Sequence, residues 1–134
     1  LGDVYKRQGN DRSTWEAALS KPTKAVFIET PSNPLMEIVD IKMVTEIAHK
    51  VGAIVIVDNV MASPVYQKPL QLGADVVMYS ATKHIDGQGR VLGGAVLGSA
   101  KYNNSNHLFD ILVQLCHLSM LGLWSNHLRP CRCA

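Results

Sequence analysis

The run Ala53-Ile54-Val55-Ile56-Val57-Asp58-Asn59 limits what this chain can fold into more than any other stretch. It does not alternate between apolar and polar residues. Four consecutive β-branched side chains, Ile54 to Val57, suit a strand covered on both faces, and such strands belong to parallel sheets flanked by helices. The run ends on an acid. In open α/β sheets the carboxyl ends of buried strands form the crevice where ligands bind, and Asp58 stands there. Taken alone, Asp58 reads equally well as a helix cap or a loop hydrogen-bonding group.

The neighbouring segments fit the same class. Ser13 or Thr14 is placed to cap a helix through Leu19, with Glu16 in its first turn, and Lys21-Pro22 ends it. Ala25 to Glu29 forms a short predicted strand, followed by the loop Thr30-Pro31-Ser32-Asn33-Pro34, too proline-rich for a helix or a central strand. Asp40 caps a predicted helix from Ile41 to about Lys50, with Ile41, Val44, Ile47 and Ala48 at helical spacing and Gly52 as a stop. Pro69 to Leu72 forms a short helix closed by Gly73. Val76-Val77-Met78 begins another buried strand, and Val91 to Leu97 a further one weakened by Gly93 and Gly94. Strand, helix, strand, short helix, strand is the rhythm of an α/β sheet with right-handed crossovers.

The strand after Gly73 leaves through Ser80-Ala81-Thr82 and presents Lys83 before a glycine-rich loop. In isolation Lys83 reads as a solvated surface charge. Just past a buried strand, however, partial desolvation would lower its pKa and free the amine for attack on an aldehyde. A pyridoxal phosphate (PLP) site needs such a lysine, and an acid to keep the pyridine nitrogen protonated. Lys83 and Asp58 supply the pair, each after its own strand. The hydroxyls of Ser80 and Thr82 are candidates to hold the phosphate.

Four segments in order, ETPSNP (Glu29 to Pro34), VDN (Val57 to Asn59), QKPLQLGADVV (Gln67 to Val77) and SATKHIDGQGRVLGG (Ser80 to Gly94), resemble the PLP enzymes of cysteine and methionine metabolism. That family includes cystathionine γ-synthase, methionine γ-lyase and the homoserine-ester sulfhydrylases. The likeness runs from about Asp11 to Gly98, and within the family DGQGR most resembles the O-succinylhomoserine sulfhydrylases. The resemblance implies part of the large PLP-binding domain of an aspartate-aminotransferase-like, fold type I enzyme, in a chain roughly three times this length. It implies γ-replacement on an O-acylhomoserine in methionine biosynthesis: O-succinylhomoserine and sulfide give homocysteine and succinate. Cystathionine γ-synthase and methionine γ-lyase share every motif used here, and a non-catalytic α/β module is the remaining alternative.

By the same resemblance, Lys83 holds PLP and moves protons between the substrate's α and β carbons. Asp58 faces the ring nitrogen, Ser80 and Thr82 the phosphate, and Asn33 the ring's phenolic oxygen. Asn33-Pro34 by itself would simply start a turn. The resemblance also implies a cytoplasmic enzyme assembled as a dimer of dimers, with a neighbouring subunit completing the site. His84, with no cysteine or carboxylate at ligand spacing, reads as packed or solvent-facing rather than as a metal ligand. Arg90 is either an anion holder, with the succinyl group as candidate, or a solvated loop residue.

A formal net charge of +2 is too small to imply a nucleic-acid or anionic-membrane partner. No run of about 18 apolar residues suggests a membrane span, and the start lacks a signal-peptide layout. Even that small basicity depends on the two ends of the sequence. LGDVYKRQ (residues 1–8) reads as an adapter or assembly scar, which leaves residues 9–111 as the partial PLP-binding domain. From Leu112 onward there is no Asp or Glu, and Cys116, Cys131 and Cys133 all cluster there. Back-translated with suitable synonymous codons and read one base earlier, Val113 to Leu121 becomes GPTLSPFNAW and Ser125 to Cys133 becomes VKSLETMSLR. Both strings resemble what the family carries after the glycine-rich loop. Residues 112–134 are therefore expected to be a shifted reading frame, from a slip between about Tyr102 and Ile111. Setting both ends aside removes Lys6, Arg7, Arg129, Arg132 and Asp3, leaving nine basic residues against ten acidic ones and no cysteine. The 134-residue chain is then expected to be inactive and marginally stable, with unpaired sheet edges.

Overall fold

The structure is a computed structural model and describes residues 9–98 and Tyr102. The segments read as a leader (1–8) and as a frame-shifted tail (112–134, with Cys116, Cys131 and Cys133) lie outside the described residues. All described residues belong to one compact unit, Arg7–Asn104.

The first helix, α1 (Arg12–Ala18), starts two to three residues earlier than the sequence suggests. Its cap is Asp11, not Ser13 or Thr14: the Asp11 carboxylate accepts from the Ser13 backbone N–H and from both hydroxyls, at 2.8–3.0 Å. A charged carboxylate accepting at the helix start offsets the unpaired N–H groups and the positive end of the helix dipole, which the hydroxyls two and three positions later do not. Those bonds hold the exposed Asp11 carboxyl below the usual carboxylate range, with the Thr14 hydroxyl contributing most. Trp15 and Leu19 turn inward and are buried, and the Trp15 indole N–H donates to the Gly9 carbonyl at 3.0 Å.

Strand β1 (Ala25–Glu29), helix α2 (Ile41–Lys50) and strand β2 (Ile54–Asp58) follow as expected. Asp40 caps α2 by accepting from the Met43 N–H at 3.0 Å. Ile41, Val44, Ile47 and Ala48 are all buried, so the helical spacing read from the sequence is the face that packs on β2. A short helix, α3 (Ser63–Tyr66), which the sequence reading does not anticipate, precedes a 3-10 turn at Pro69–Leu72. Strand β3 (Val76–Ser80) then leads into a π-helical turn at Ala81–Ile85 and strand β4 (Gly94–Gly98).

The sheet order is β1-β2-β3-β4, with β1, β2 and β3 parallel and β4 antiparallel to β3. Strand β2 is thus central and parallel on both sides, as its unbroken apolar run requires. Val55 and Val57 point into one core with Val26, Ile28, Val44 and Val77, while Ile56 and Val76 are buried apart from that cluster. Burying each such side chain contributes roughly 1.5–3 kcal/mol. Asp75 fastens the start of β3 to β2: its backbone N–H donates to the Val55 carbonyl, and its carboxylate accepts from the Val55 N–H and meets the His49 ring.

The last strand begins at Gly94 rather than Val91. Val91 and Leu92 are exposed, and the Gly93 carbonyl instead accepts from the Ala81 and Thr82 N–H groups at 2.8 and 3.3 Å. No helix among the described residues is long and apolar enough to cross a membrane.

Candidate active site

The parallel register brings the candidate residues to one edge of the sheet. Glu29 pairs with Asp58, and Asp58 pairs with Met78, two residues before Ser80. The Asn33 loop leaves β1, Asp58 ends β2, and Ser80, Thr82 and Lys83 leave β3. All five are therefore at the carboxyl ends of three adjacent strands, the edge where an α/β sheet offers ligands its crevice.

Asp58 is half-buried, and its carboxylate accepts from the Val60 N–H at 3.1 Å. Burial pushes its carboxyl above the usual range. The Val60 N–H pulls it partly back, and the negative charge of Glu29 raises it further. An acid in this state has little to stabilise its anion within the described residues and gains most from a cation placed against it.

The Lys83 turn is built by backbone and loop bonds. The Asp86 N–H donates to the Ala81 carbonyl and the Gly87 N–H to the Lys83 carbonyl, both at 2.9 Å. Lys83 itself departs from helical geometry inside this turn (φ −89°, ψ −114°) and is exposed. The burial expected for its side chain is not supplied by the described residues. Asp86 is the hub of the loop that follows. Its carboxylate accepts from the Gln88 and Arg90 N–H groups and from the Arg90 guanidinium, and these bonds, the Arg90 N–H first, hold it below the usual range. Arg90 is thus engaged by its own loop, and His84 is exposed.

The two hydroxyls differ. The Thr82 hydroxyl accepts from the Gly93 N–H at 3.1 Å and so clasps the start of β4. The half-buried Ser80 hydroxyl has no partner among the described residues. Asn33 is exposed on its loop, which is closed by other groups: Ser32 exchanges backbone and side-chain bonds with Glu37, and the Thr30 hydroxyl accepts from the Val39 N–H at 2.9 Å. As a donor set these residues suit PLP: a primary amine, a half-buried acid in want of a cation, and a hydroxyl with no partner among the described residues.

Sequence reasoning passed over Asn59 and Gln67, whose side-chain amides tie this edge together. Asn59 was visible only as part of a motif, and its full burial is the missing signal. A cavity of about 260 Å³ lies elsewhere, lined by Gly52, Ala53, Ile54 and Asp75 at the amino ends of β2 and β3, away from these residues.

Comparison with known proteins gives a match over residues 3–117 to the family described as Cys/Met metabolism PLP-dependent enzyme. The chain is 64% identical over 94 residues to an O-succinylhomoserine sulfhydrylase of Mycobacterium tuberculosis, covering 70% of this chain and 23% of that protein. It is 57% identical over 89 residues to an O-succinylhomoserine sulfhydrylase of Pseudomonas aeruginosa, covering 66% of this chain and 22% of that one. Among solved structures, apo methionine gamma lyase from Micromonospora echinospora aligns with TM-score 0.67 and 49% identity, over 70% of this chain and 26% of that one. The chain spans about a quarter of the length of the relatives it matches.

Proposed function

The chain belongs to the Cys/Met metabolism PLP-dependent enzyme family, and from that premise we propose that it is part of the large, fold type I domain of an O-succinylhomoserine sulfhydrylase. The reaction proposed is γ-replacement: the bond from Cγ to the succinyl oxygen breaks, sulfide adds at Cγ, and homocysteine and succinate leave. The observation that carries it is the placement of Asp58 and the Ser80–Lys83 segment at the carboxyl ends of adjacent parallel strands. The choice within the family rests on DGQGR and on 64% and 57% identity to sulfhydrylases of that specificity. The enzyme is proposed to work in the cytoplasm as a homo-oligomer.

When bound, PLP would supply an electron sink for carbanions at the substrate's α and β carbons. Lys83 would hold the cofactor through its amine and carry protons between those two carbons, and its position at the mouth of a turn leaves that amine reachable. Asp58 would hold the proton on the ring nitrogen; the cost of ionising it in its buried position is offset by that positive charge. Ser80 would donate its free hydroxyl to the phosphate, Thr82 would fix the turn beside it, and Asn33 would reach the phenolic oxygen. Lys83 is exposed here, so the elements that enclose it are assigned to the remainder of the longer enzyme and to a neighbouring subunit. The isolated chain is accordingly proposed to lack activity.

A second reading has its own support. The aligned methionine gamma lyase shares this architecture at 49% identity, and an elimination enzyme would use the same residues. Product analysis on the full-length enzyme separates them. Homocysteine formed from O-succinylhomoserine only when sulfide is present supports the sulfhydrylase, whereas 2-oxobutanoate formed without sulfide supports the lyase. Residues 112–134 are proposed to be a frame-shifted translation. Resequencing the source DNA through codons 100 to 134 tests this: a one-base slip with the frame continuing as GPTLSPFNAW supports it, and an unchanged sequence refutes it.

A further inference from the structure

Two amides, the fully buried Asn59 and the half-buried Gln67, join the three strand ends that carry the site. Asn59, with no exposed surface, uses its Nδ2 hydrogens on the Ser63 carbonyl (3.0 Å), the Gln67 carbonyl (3.0 Å) and the Tyr79 hydroxyl (3.1 Å). Its Oδ1 accepts from Gln67 Nε2 at 2.7 Å, and the same Nε2 donates to the Thr30 carbonyl at 2.9 Å. The Asn59 backbone N–H donates to the Met78 carbonyl at 3.0 Å. The chain of contacts therefore runs from the loop of Asn33, through Gln67 and the residue after Asp58, to the residue before Ser80. Both hydrogens of Gln67 Nε2 are used, and each goes to an oxygen of a fully buried residue.

We propose that Asn59 and Gln67 are positioning residues, which hold Asp58 and the Asn33 loop in register with the end of β3 that carries Ser80 and Lys83. Packing alone does not require an amide at either place, since an apolar side chain of similar volume would fill the space. What the amides add is a side-chain tie beyond the last ladder bonds, the Thr30 N–H to the Asp58 carbonyl at 3.4 Å and the Asn59 N–H to the Met78 carbonyl at 3.0 Å. Removing the Gln67 donors leaves the Thr30 carbonyl and Asn59 Oδ1 buried without a partner, a penalty relieved only if the loop opens to water. The residue pair matters to the enzyme only if the cofactor site proposed above is right, but its structural effect can be measured without the cofactor.

The test uses the full-length enzyme freed of PLP. The Asp58 carboxyl is titrated by carbon NMR, and amide exchange is followed at Val39 and Val60, whose N–H groups bond Thr30 and Asp58. Gln67→Met keeps the length and removes the donors, and Val44→Ala serves as a core variant that weakens the fold elsewhere. For Gln67→Met, exchange at Val39 and Val60 is expected to speed roughly tenfold relative to the core amides, and Asp58 to titrate nearer the usual carboxylate range as its turn takes up water. Val44→Ala is expected to speed exchange throughout the core and to leave the Asp58 titration in place. An Asp58 titration in Gln67→Met equal to that of the unaltered chain would overturn the proposal.

If Gln67→Met does not fold, Gln67→Glu decides. Protonated, that side chain still donates one hydrogen bond; ionised, it faces two acceptors with a negative charge, in a region shared with Asp58 and Glu29. Exchange at Val39, corrected for its intrinsic pH dependence, is then expected to rise with pH against the unaltered chain. Parallel curves would overturn the proposal. Neither readout involves PLP or Lys83, so failure here and failure of the cofactor assignment are separate results.

Discussion

Glu29 and Asp58 are register partners at the carboxyl ends of β1 and β2, and the charge of Glu29 adds to burial in raising the Asp58 carboxyl. Two acids side by side at a strand edge, with no cation of the described residues against them, describe a site waiting for positive charge. The protonated pyridine proposed to face Asp58 would supply that charge.

Asp58 has a consequence for stability that can be measured without cofactor. Its folded pKa is raised, so its contribution is fully present below the ordinary value of 3.8 and is lost as pH rises through the folded pKa. Glu29→Gln removes the secondary cause and leaves burial. The loss of melting temperature across that pH window is expected to shrink but not vanish, as thermal scans at stepped pH would show.

Ser80 and Thr82 are expected to separate on mutation. Ser80→Ala removes a hydroxyl with no partner among the described residues, so melting temperature stays unchanged while the dissociation constant for PLP in the full-length enzyme rises about tenfold or more. Thr82→Val removes the clasp on Gly93 and is expected to lower stability as well. Equal behaviour of the two variants would contradict the division of roles.

Asp86 holds the glycine-rich loop closed through bonds from Gln88 and Arg90. Asp86→Ala is expected to speed trypsin cleavage after Arg90 several-fold with little change in global melting, because the freed N–H groups face water. Unchanged cleavage kinetics would show that the loop does not depend on this carboxylate.

Gly73 closes the 3-10 turn at φ +102°, and a Cβ there would lie 2.8 Å from Thr45 Oγ1. That hydroxyl's one hydrogen lies between the Lys42 carbonyl at 2.9 Å and the Leu72 carbonyl at 3.2 Å, so it has little freedom to retreat. Gly73→Ala is expected to cost about 1–3 kcal/mol by chemical denaturation.

The fold was legible in the sequence where period and composition agree. The unbroken apolar run of β2 announced a central parallel strand, and Ile41, Val44, Ile47 and Ala48 announced the buried face of α2; the structure has both. Boundaries were harder. Ser13, Thr14 and Asp11 are all good caps, and only the geometry shows Asp11 accepting from the other two. Val91 and Leu92 look like a strand by composition, but Gly93 is taken by Ala81 and Thr82, which delays pairing to Gly94. The acid and lysine of the candidate site stood out because each follows a strand. The amide link through Asn59 and Gln67 did not, since no periodicity marks two residues eight apart whose partners include Thr30 and Tyr79. The exposure of Lys83 was equally invisible, because it depends on what packs over the turn.

The most direct test of the central claim is to incubate the full-length enzyme with PLP, reduce it with borohydride and map the modified lysine by mass spectrometry. The expected result is a single reduced cofactor on Lys83, in the peptide running from β3 into the glycine-rich loop, and none in Lys83→Arg. Modification spread over other lysines, or unchanged in Lys83→Arg, would contradict it.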